Sequence, residues 1–262
     1  MTARVKLITT IKNRLEHFQK TFPFMVSQYG TDYELWIVDY HSNDNFQEYL
    51  TEQIEFRKED AFSPNLKRIV CIELNEDRKF SLKKARNLAA SYCQKNDIIA
   101  FSDVDVFVGM DYLHYWTPKV VAGESFVVTR WKETKASPSR RIEPEINYGN
   151  YLVSAKDFIN VKGMEENFAW WGGDDDDIFH RLKLSGLQEI NPYNAQEAKQ
   201  FSIIHGDELR FDFLEDPSRH DSAELFKKIY SNLDRLQSIE SKHLSQEYSS
   251  TIKLGLSVMK KM

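Results

Sequence analysis

The chain of 262 residues is 41% hydrophobic and 13% aromatic, a composition that supports one large core and argues against disorder. Its formal charge of −5 gives no basic footprint for nucleic acid, and its two cysteines, Cys71 and Cys93, sit in apolar runs that argue against a disulfide framework or a cysteine zinc site. No stretch approaches the roughly 18 apolar residues of a spanning helix and no signal peptide precedes Val5, so a reducing, cytoplasmic setting is expected.

Residues 4–11 are apolar and β-branched and predict a buried first strand, interrupted at Lys12-Asn13-Arg14. Leu15, Phe18, Phe22 and Val26 then mark one side of a helix that Gly30 closes. Glu34 to Val38 predicts a second strand, a helix follows within 45–59, and Lys67 to Leu74 predicts a third strand. Ser81 to Gln94 has helical spacing, and Asp97 to Phe101 predicts a fourth strand that ends in Ser102-Asp103-Val104-Asp105. Strands alternating with helices predict an α/β fold with a mostly parallel sheet flanked by helices.

Beyond Asp105 the pattern is less regular. Ser125 to Trp131 and Asn147 to Val153 predict strands, separated by an exposed loop over Glu133 to Pro144. A short helix is expected near Asp157 to Val161, a longer one over 174–185 ending at Gly186, and a short strand over Phe201 to Gly206. Residues 219–262 are expected to be helical, with Leu225, Ile229, Leu233, Leu236 and Ile239 in one stripe. This segment carries eight Lys and Arg against five Asp and Glu; packing on the parent domain is the favoured role, with contact to a membrane surface the alternative. The expected division is a main domain over 1–215, with its halves meeting near residue 105, and a helical extension over 216–262.

The polar clusters at 12–14, 39–44 and 102–105 all fall at the carboxyl ends of strands, the edge where open α/β sheets bind ligands. Asp103 and Asp105 stand two residues apart in an extended segment, a spacing that suits a divalent cation shared with a diphosphate. The most unusual stretch is Trp170-Trp171-Gly172-Gly173 followed by Asp174, Asp175, Asp176 and Asp177. Four adjacent carboxylates beside two indoles repel one another in a poorly screened setting. A helix N-terminus needs only one or two of them as caps, so a metal ion, a nucleotide or sugar hydroxyls are the candidates for what offsets the rest.

The Phe101-Ser102-Asp103-Val104-Asp105 stretch, with Trp171-Gly172-Gly173-Asp174-Asp175-Asp176 and His205, resembles the β-1,4-galactosyltransferase family of GT-A glycosyltransferases. Ile11 to His17 is similar to that family's first-strand motif, whereas Val38 to Asp44 and Ala85-Arg86-Asn87 resemble the family-2 glycosyltransferases of the same fold. The resemblance covers about residues 4–210, with its motifs in the expected order.

The resemblance implies a nucleotide-sugar site formed by Thr10, Arg14, Asp39, Arg86, Asp103, Val104 and Gly149, with Asp39 accepting from uracil and Asp103 on the ribose side. It implies Mn²⁺, or Mg²⁺, held by Asp105 and His205; Ser202 stands where the family has a methionine ligand. Asp175 corresponds to the catalytic base, while Trp171, Asp174 and Asp176 correspond to acceptor-binding residues. Ile146 replaces a tyrosine that crowds the sugar's 2-position, which keeps UDP-GalNAc alongside UDP-Gal as donor. The expected activity is inverting transfer of a hexose or N-acetylhexosamine from a UDP-sugar to a glycan or glycolipid hydroxyl, and the chemistry agrees. Such a transfer needs a base for the acceptor proton, a cation for the leaving diphosphate, and both substrates held in line. Two rivals remain: a sugar-phosphate nucleotidyltransferase, which lacks its glycine-rich loop here because residues 9–16 contain no glycine, and a non-catalytic sugar-binding module.

Overall fold

The computed structural model describes residues 4–56, 62–74, 80–129, 131–134, 144–147, 149–166, 174–192, 195–203 and 250–256. Its first half alternates β1 (Val5–Ile11), α1 (Leu15–Met25), β2 (Tyr33–Asp39), α2 (Phe46–Phe56), β3 (Leu66–Leu74), α3 (Leu82–Ser91) and β4 (Ile98–Phe101). Every residue of β1 and β2 is buried, which is why these strands read as near-continuous apolar runs. β1 pairs in parallel with β2 on one side and with β4 on the other, and β2 pairs in parallel with β3. The chain therefore builds outward from β1 to β3 and then returns to the far side of β1. That reversal opens a crevice at the carboxyl end of β1, the place where such sheets take ligands.

The second half adds β5 (Val106–Val108), α4 (Tyr112–Trp116) with a 3-10 turn at Thr117–Lys119, β6 (Ser125–Val128), β7 (Trp131–Thr134), β8 (Pro144–Asn147) and β9 (Tyr151–Ser154). α5 (Ala155–Asn160), α6 (Asp174–Leu184), β10 (Gln188–Ile190), α7 (Ala195–Ala198), β11 (Gln200–Ser202) and β12 (Ser250–Leu256) follow. The eight-stranded sheet has the order β10-β6-β9-β4-β1-β2-β3-β12. β9 runs antiparallel to β4 and β6, so its leading residues, Gly149 and Asn150, reach the same edge as the end of β4.

Alternating strand residues feed two cores on opposite faces. Ile8, Trp36, Val38, Val70 and Ile72 face α3, α5 and α6, whereas Leu7, Leu35, Ile37 and Ile69 face α1, α2 and α4. α3 and α6 thus share one face, which brings residues 86 and 175 to one side of the sheet.

Three expectations are corrected. The strand expected over 125–131 stops at Val128, and Trp131–Thr134 pairs instead with Pro144–Asn147 in a separate hairpin; residues 135–143 lie outside the described residues. The strand expected over 147–153 is divided, because Gly149 takes a φ of +107° that ladder pairing does not accommodate. Ser250–Leu256 is an antiparallel strand on the edge of β3 and not helix. Its register shifts between Ile252 and Leu254, an irregularity of the kind common on sheet edges. The rest of the expected helical extension, with the stripe from Leu225 to Ile239, lies outside the described residues.

Candidate active site

The crevice is built from loops that lock each other. Lys12 Nζ donates to Tyr40 O (3.0 Å), Asn13 N to Ser42 Oγ (3.0 Å) and Asn43 N to Asn13 Oδ1 (2.9 Å). Asn13, His41 and Asn45 accept left-handed backbone there, with φ of 51°, 54° and 62°. α1 has no side-chain cap from its own N-cap residue, Arg14; Asp44 Oδ2 accepts from Leu15 N at 2.8 Å and caps the helix from the neighbouring loop. Thr10 is buried on β1 opposite Val38. Asp39, buried at the end of β2, accepts from Ser42 N (2.9 Å) through one oxygen and from Gln47 Nε2 (2.6 Å) through the other.

The Asp103–Asp105 turn is fixed through its backbone. Ser102 N donates to Ile8 O (2.9 Å), Asp103 N to Asn150 Oδ1 (2.8 Å), and Thr21 Oγ1 of α1 donates to Val104 O (2.9 Å). Behind it lies a buried amide network that the sequence reading missed. Asn150 Nδ2 donates to Gln200 Oε1 (2.8 Å) and Ser102 Oγ (3.3 Å), and Gln200 Nε2 donates to Thr129 Oγ1 (2.9 Å). Neutral amides carry no charge pattern to betray them. The signal lies in β11, where polar Gln200 faces in and Phe201 is 57% exposed, the reverse of ordinary alternation.

Arg86, on α3, joins the turn to the acidic helix start. Its Nη2 donates to Asp103 Oδ1 at 2.7 Å and to Gly149 O at 2.8 Å, and its Nη1 donates to Asp175 Oδ1 at 3.2 Å. Lys83, one turn earlier, lies 3.6 Å from Asp174 Oδ2. Gly149 needs to be glycine for two reasons: its φ is positive, and a Cβ there would collide with Asp103 Oδ2. Its open space is filled by the Asp103 carboxylate.

The first turn of α6 separates its four carboxylates by role. Asp177 is fully buried and pairs with Arg181 (Nε to Oδ2, 3.0 Å), whose Nη1 also donates to Val161 O and Gly163 O, both at 2.6 Å. This is a structural anchor. Asp175 remains 17% exposed at its side chain. Burial, and then the charge of Asp174, push its carboxyl up to about 8 against the opposing pull of Arg86. Burial also raises Asp103, to about 6, with Arg86 opposing. A carboxylate base poised near neutrality suits proton abstraction from a hydroxyl.

The structure thus brings Arg86, Asp103, Gly149 and Asp175 together, with Asp174 and Asp176 beside them and Val104 in the same turn. Thr10, Arg14 and Asp39 lie along the neighbouring strand ends. Asp105 O accepts from Ile203 N at 2.7 Å, so β11 leads the chain past Asp105 two residues before His205. His205 and Trp171 lie outside the described residues, as do Gly172 and Gly173. Among the described residues no group of three or more His, Cys, Asp or Glu side chains converges on a metal position, and no helix is long and apolar enough to cross a membrane.

A family model described as the N-terminal domain of galactosyltransferase matches residues 134–205. β-1,4-Galactosyltransferase 7 of Drosophila melanogaster is 28% identical over 142 residues, covering 50% of this chain and 41% of that protein. The bovine β-1,4-galactosyltransferase 1 is 36% identical over 64 residues, 24% of this chain and 16% of that protein. The chain spans about two fifths of the length of the galactosyltransferase 7 proteins it matches. Among solved structures, a Drosophila β-1,4-galactosyltransferase 7 mutant in complex with manganese, UDP-Gal and xylobiose superposes with a TM-score of 0.54 at 15% identity, covering 86% of this chain and 80% of that one. S. aureus TarS gives a TM-score of 0.59 at 12% identity over 92% of this chain and 41% of that one. With a mostly parallel sheet reversing at β1 and these structural neighbours, the chain has the GT-A glycosyltransferase fold and resembles the β-1,4-galactosyltransferase family.

Proposed function

We propose that the chain is a metal-dependent, inverting glycosyltransferase that moves a hexose or N-acetylhexosamine, galactose or N-acetylgalactosamine favoured, from a UDP-sugar to a glycan or glycolipid hydroxyl in the cytoplasm. The observation that carries this reading is the Arg86 bridge, which sets a partly buried carboxylate, Asp175, against Asp103 of the acidic turn at the ligand-binding edge of the sheet. Two kinds of relative support it: the galactosyltransferases matched in sequence, and the Drosophila structure that holds manganese, UDP-Gal and xylobiose.

In this reading the acceptor hydroxyl oxygen bonds to the anomeric carbon as the bond from that carbon to the diphosphate breaks. UDP leaves with the electron pair, and the hydroxyl proton passes to Asp175 Oδ. Asp176 and Asp174 would accept hydrogen bonds from acceptor hydroxyls, and Trp171, outside the described residues, would offer its ring face to the sugar. Asp105 and His205, the latter outside the described residues, would supply a carboxylate and an imidazole, donor types that suit Mn²⁺ or Mg²⁺. When bound, the cation would neutralise charge developing on the departing diphosphate. Asp39, Thr10 and Arg14 would receive the nucleoside at the ends of β1 and β2.

A panel of UDP-sugars with and without Mn²⁺, read by thermal shift and donor hydrolysis, tests the proposal. A response to UDP-Gal or UDP-GalNAc that depends on the metal is expected. Silence toward every UDP-sugar in both conditions would refute it.

A further inference from the structure

Arg86 is 1% exposed, and both of its terminal nitrogens are engaged by protein. Its Cζ lies 5.2 Å from the ring centroid of Phe101 and 5.5 Å from that of Tyr151, so aromatic walls complete its surroundings. Its three partners come from segments far apart in sequence: the turn after β4, Gly149 two residues before β9, and the first turn of α6. A nucleotide could reach this guanidinium only by displacing a carboxylate already bound to it. The turn itself does not depend on Arg86, because Ile8, Asn150 and Thr21 hold its backbone independently.

We propose that Arg86 is a positioning residue and not a nucleotide contact: its fork fixes the carboxylate of Asp175 against the Asp103 turn, so that the acceptor proton is taken only beside the bound donor. The proposal rests on the reading of Asp175 as base. A planar fork can serve two carboxylates and a carbonyl at once, which a lysine ammonium cannot do with the same geometry. The groups facing Asp175 are Asp174 and Asp176 of its own helix, Asp103 of the turn, Tyr151 of β9 and Arg86 of α3, with Lys83 facing Asp174. Of these neighbours, Arg86 favours the ionised form of Asp175.

The test compares wild type, Arg86→Lys, Arg86→Met and Asp175→Asn with a responding UDP-sugar and Mn²⁺. The measurements are kcat, KM for donor and acceptor, UDP affinity by calorimetry, and the pH profile of kcat/KM. Arg86→Met is expected to lower kcat on the order of 100-fold while UDP affinity stays within about 3-fold, and Arg86→Lys should recover about tenfold of that loss. The acid limb of the Met variant should move to higher pH. A tenfold or greater loss of UDP affinity with kcat retained at saturating donor would make Arg86 a nucleotide contact and overturn the proposal. An unmoved acid limb, with activity falling only in step with the folded fraction, would reduce it to a structural residue. Should Arg86→Met not fold, Arg86→Lys carries the comparison alone: lowered kcat with UDP affinity kept supports the proposal, and full kcat overturns it. Asp175→Asn at wild-type turnover would instead defeat the base assignment, whereas an inactive Asp175→Asn beside fully active Arg86 variants defeats only the role of Arg86.

Discussion

Gly149 and Asp175 affect the stability of this edge in opposite directions. Gly149→Ala puts a Cβ into the space of the Asp103 carboxylate at a φ that L residues avoid. It should cost about 1–3 kcal/mol of stability, read by denaturant unfolding, and should weaken binding of UDP with Mn²⁺ as the turn is displaced. Asp175 titrates near 8 in the fold because burial opposes its charge, against about 3.9 for an unfolded aspartate. The fold therefore favours its protonated form: this contribution to stability is complete below about pH 4 and is lost as pH rises through about 8. Asp175→Asn should melt higher than wild type at pH 8 to 9 and converge with it near pH 4, which thermal melts across that range would check. The acidic clusters were legible in the sequence because like charges in series are costly without a purpose. Their division of labour was only partly so. The burial of Asp177 against Arg181, four residues on, is seen only in the structure, and the pairing of Arg86 with Asp175 spans 89 residues and has no local signature.

Arg181 anchors α6 as an element, beside the contacts that Lys83 and Arg86 make to its first turn. Arg181 neutralises Asp177 and also ties the helix to the carbonyls of Val161 and Gly163. Arg181→Ala would strand the Asp177 carboxylate in the interior, at a cost of about 3–5 kcal/mol, and calorimetric unfolding should show it. The helices and strands of the first hundred residues were legible because β1 and β2 are buried throughout, β3 and β4 nearly so, and α1 and α3 each bury an apolar face. The later elements were harder. β5, β10 and β11 have three residues each, too few for any period to emerge, and the Trp131–Thr134 hairpin lies where charged residues and prolines mimic a loop. Ser250–Leu256 pairs with the edge of β3 through tertiary contact that the basic, helix-like composition around it does not announce.

Across the whole molecule, the order of strands converts a linear sequence into a working edge. Because β4 returns to the far side of β1, the ends of β1, β2 and β4 lie side by side, about 5 Å apart from strand to strand. The antiparallel return of β9 then adds Gly149 and Asn150 to that edge, and α6 on the same face as α3 supplies Asp175. The expected fold class and the meeting of polar clusters followed from strand–helix alternation alone; the identity of the bridge did not, because it depends on which face each helix occupies. The central claim is that Asp175 is the base of a sugar transfer. Steady-state transfer by Asp175→Asn, with the responding UDP-sugar, Mn²⁺ and acceptor, measures it most directly. A fall in kcat of about 10²- to 10⁴-fold with UDP affinity preserved is expected. Turnover equal to wild type with UDP binding intact would contradict the account.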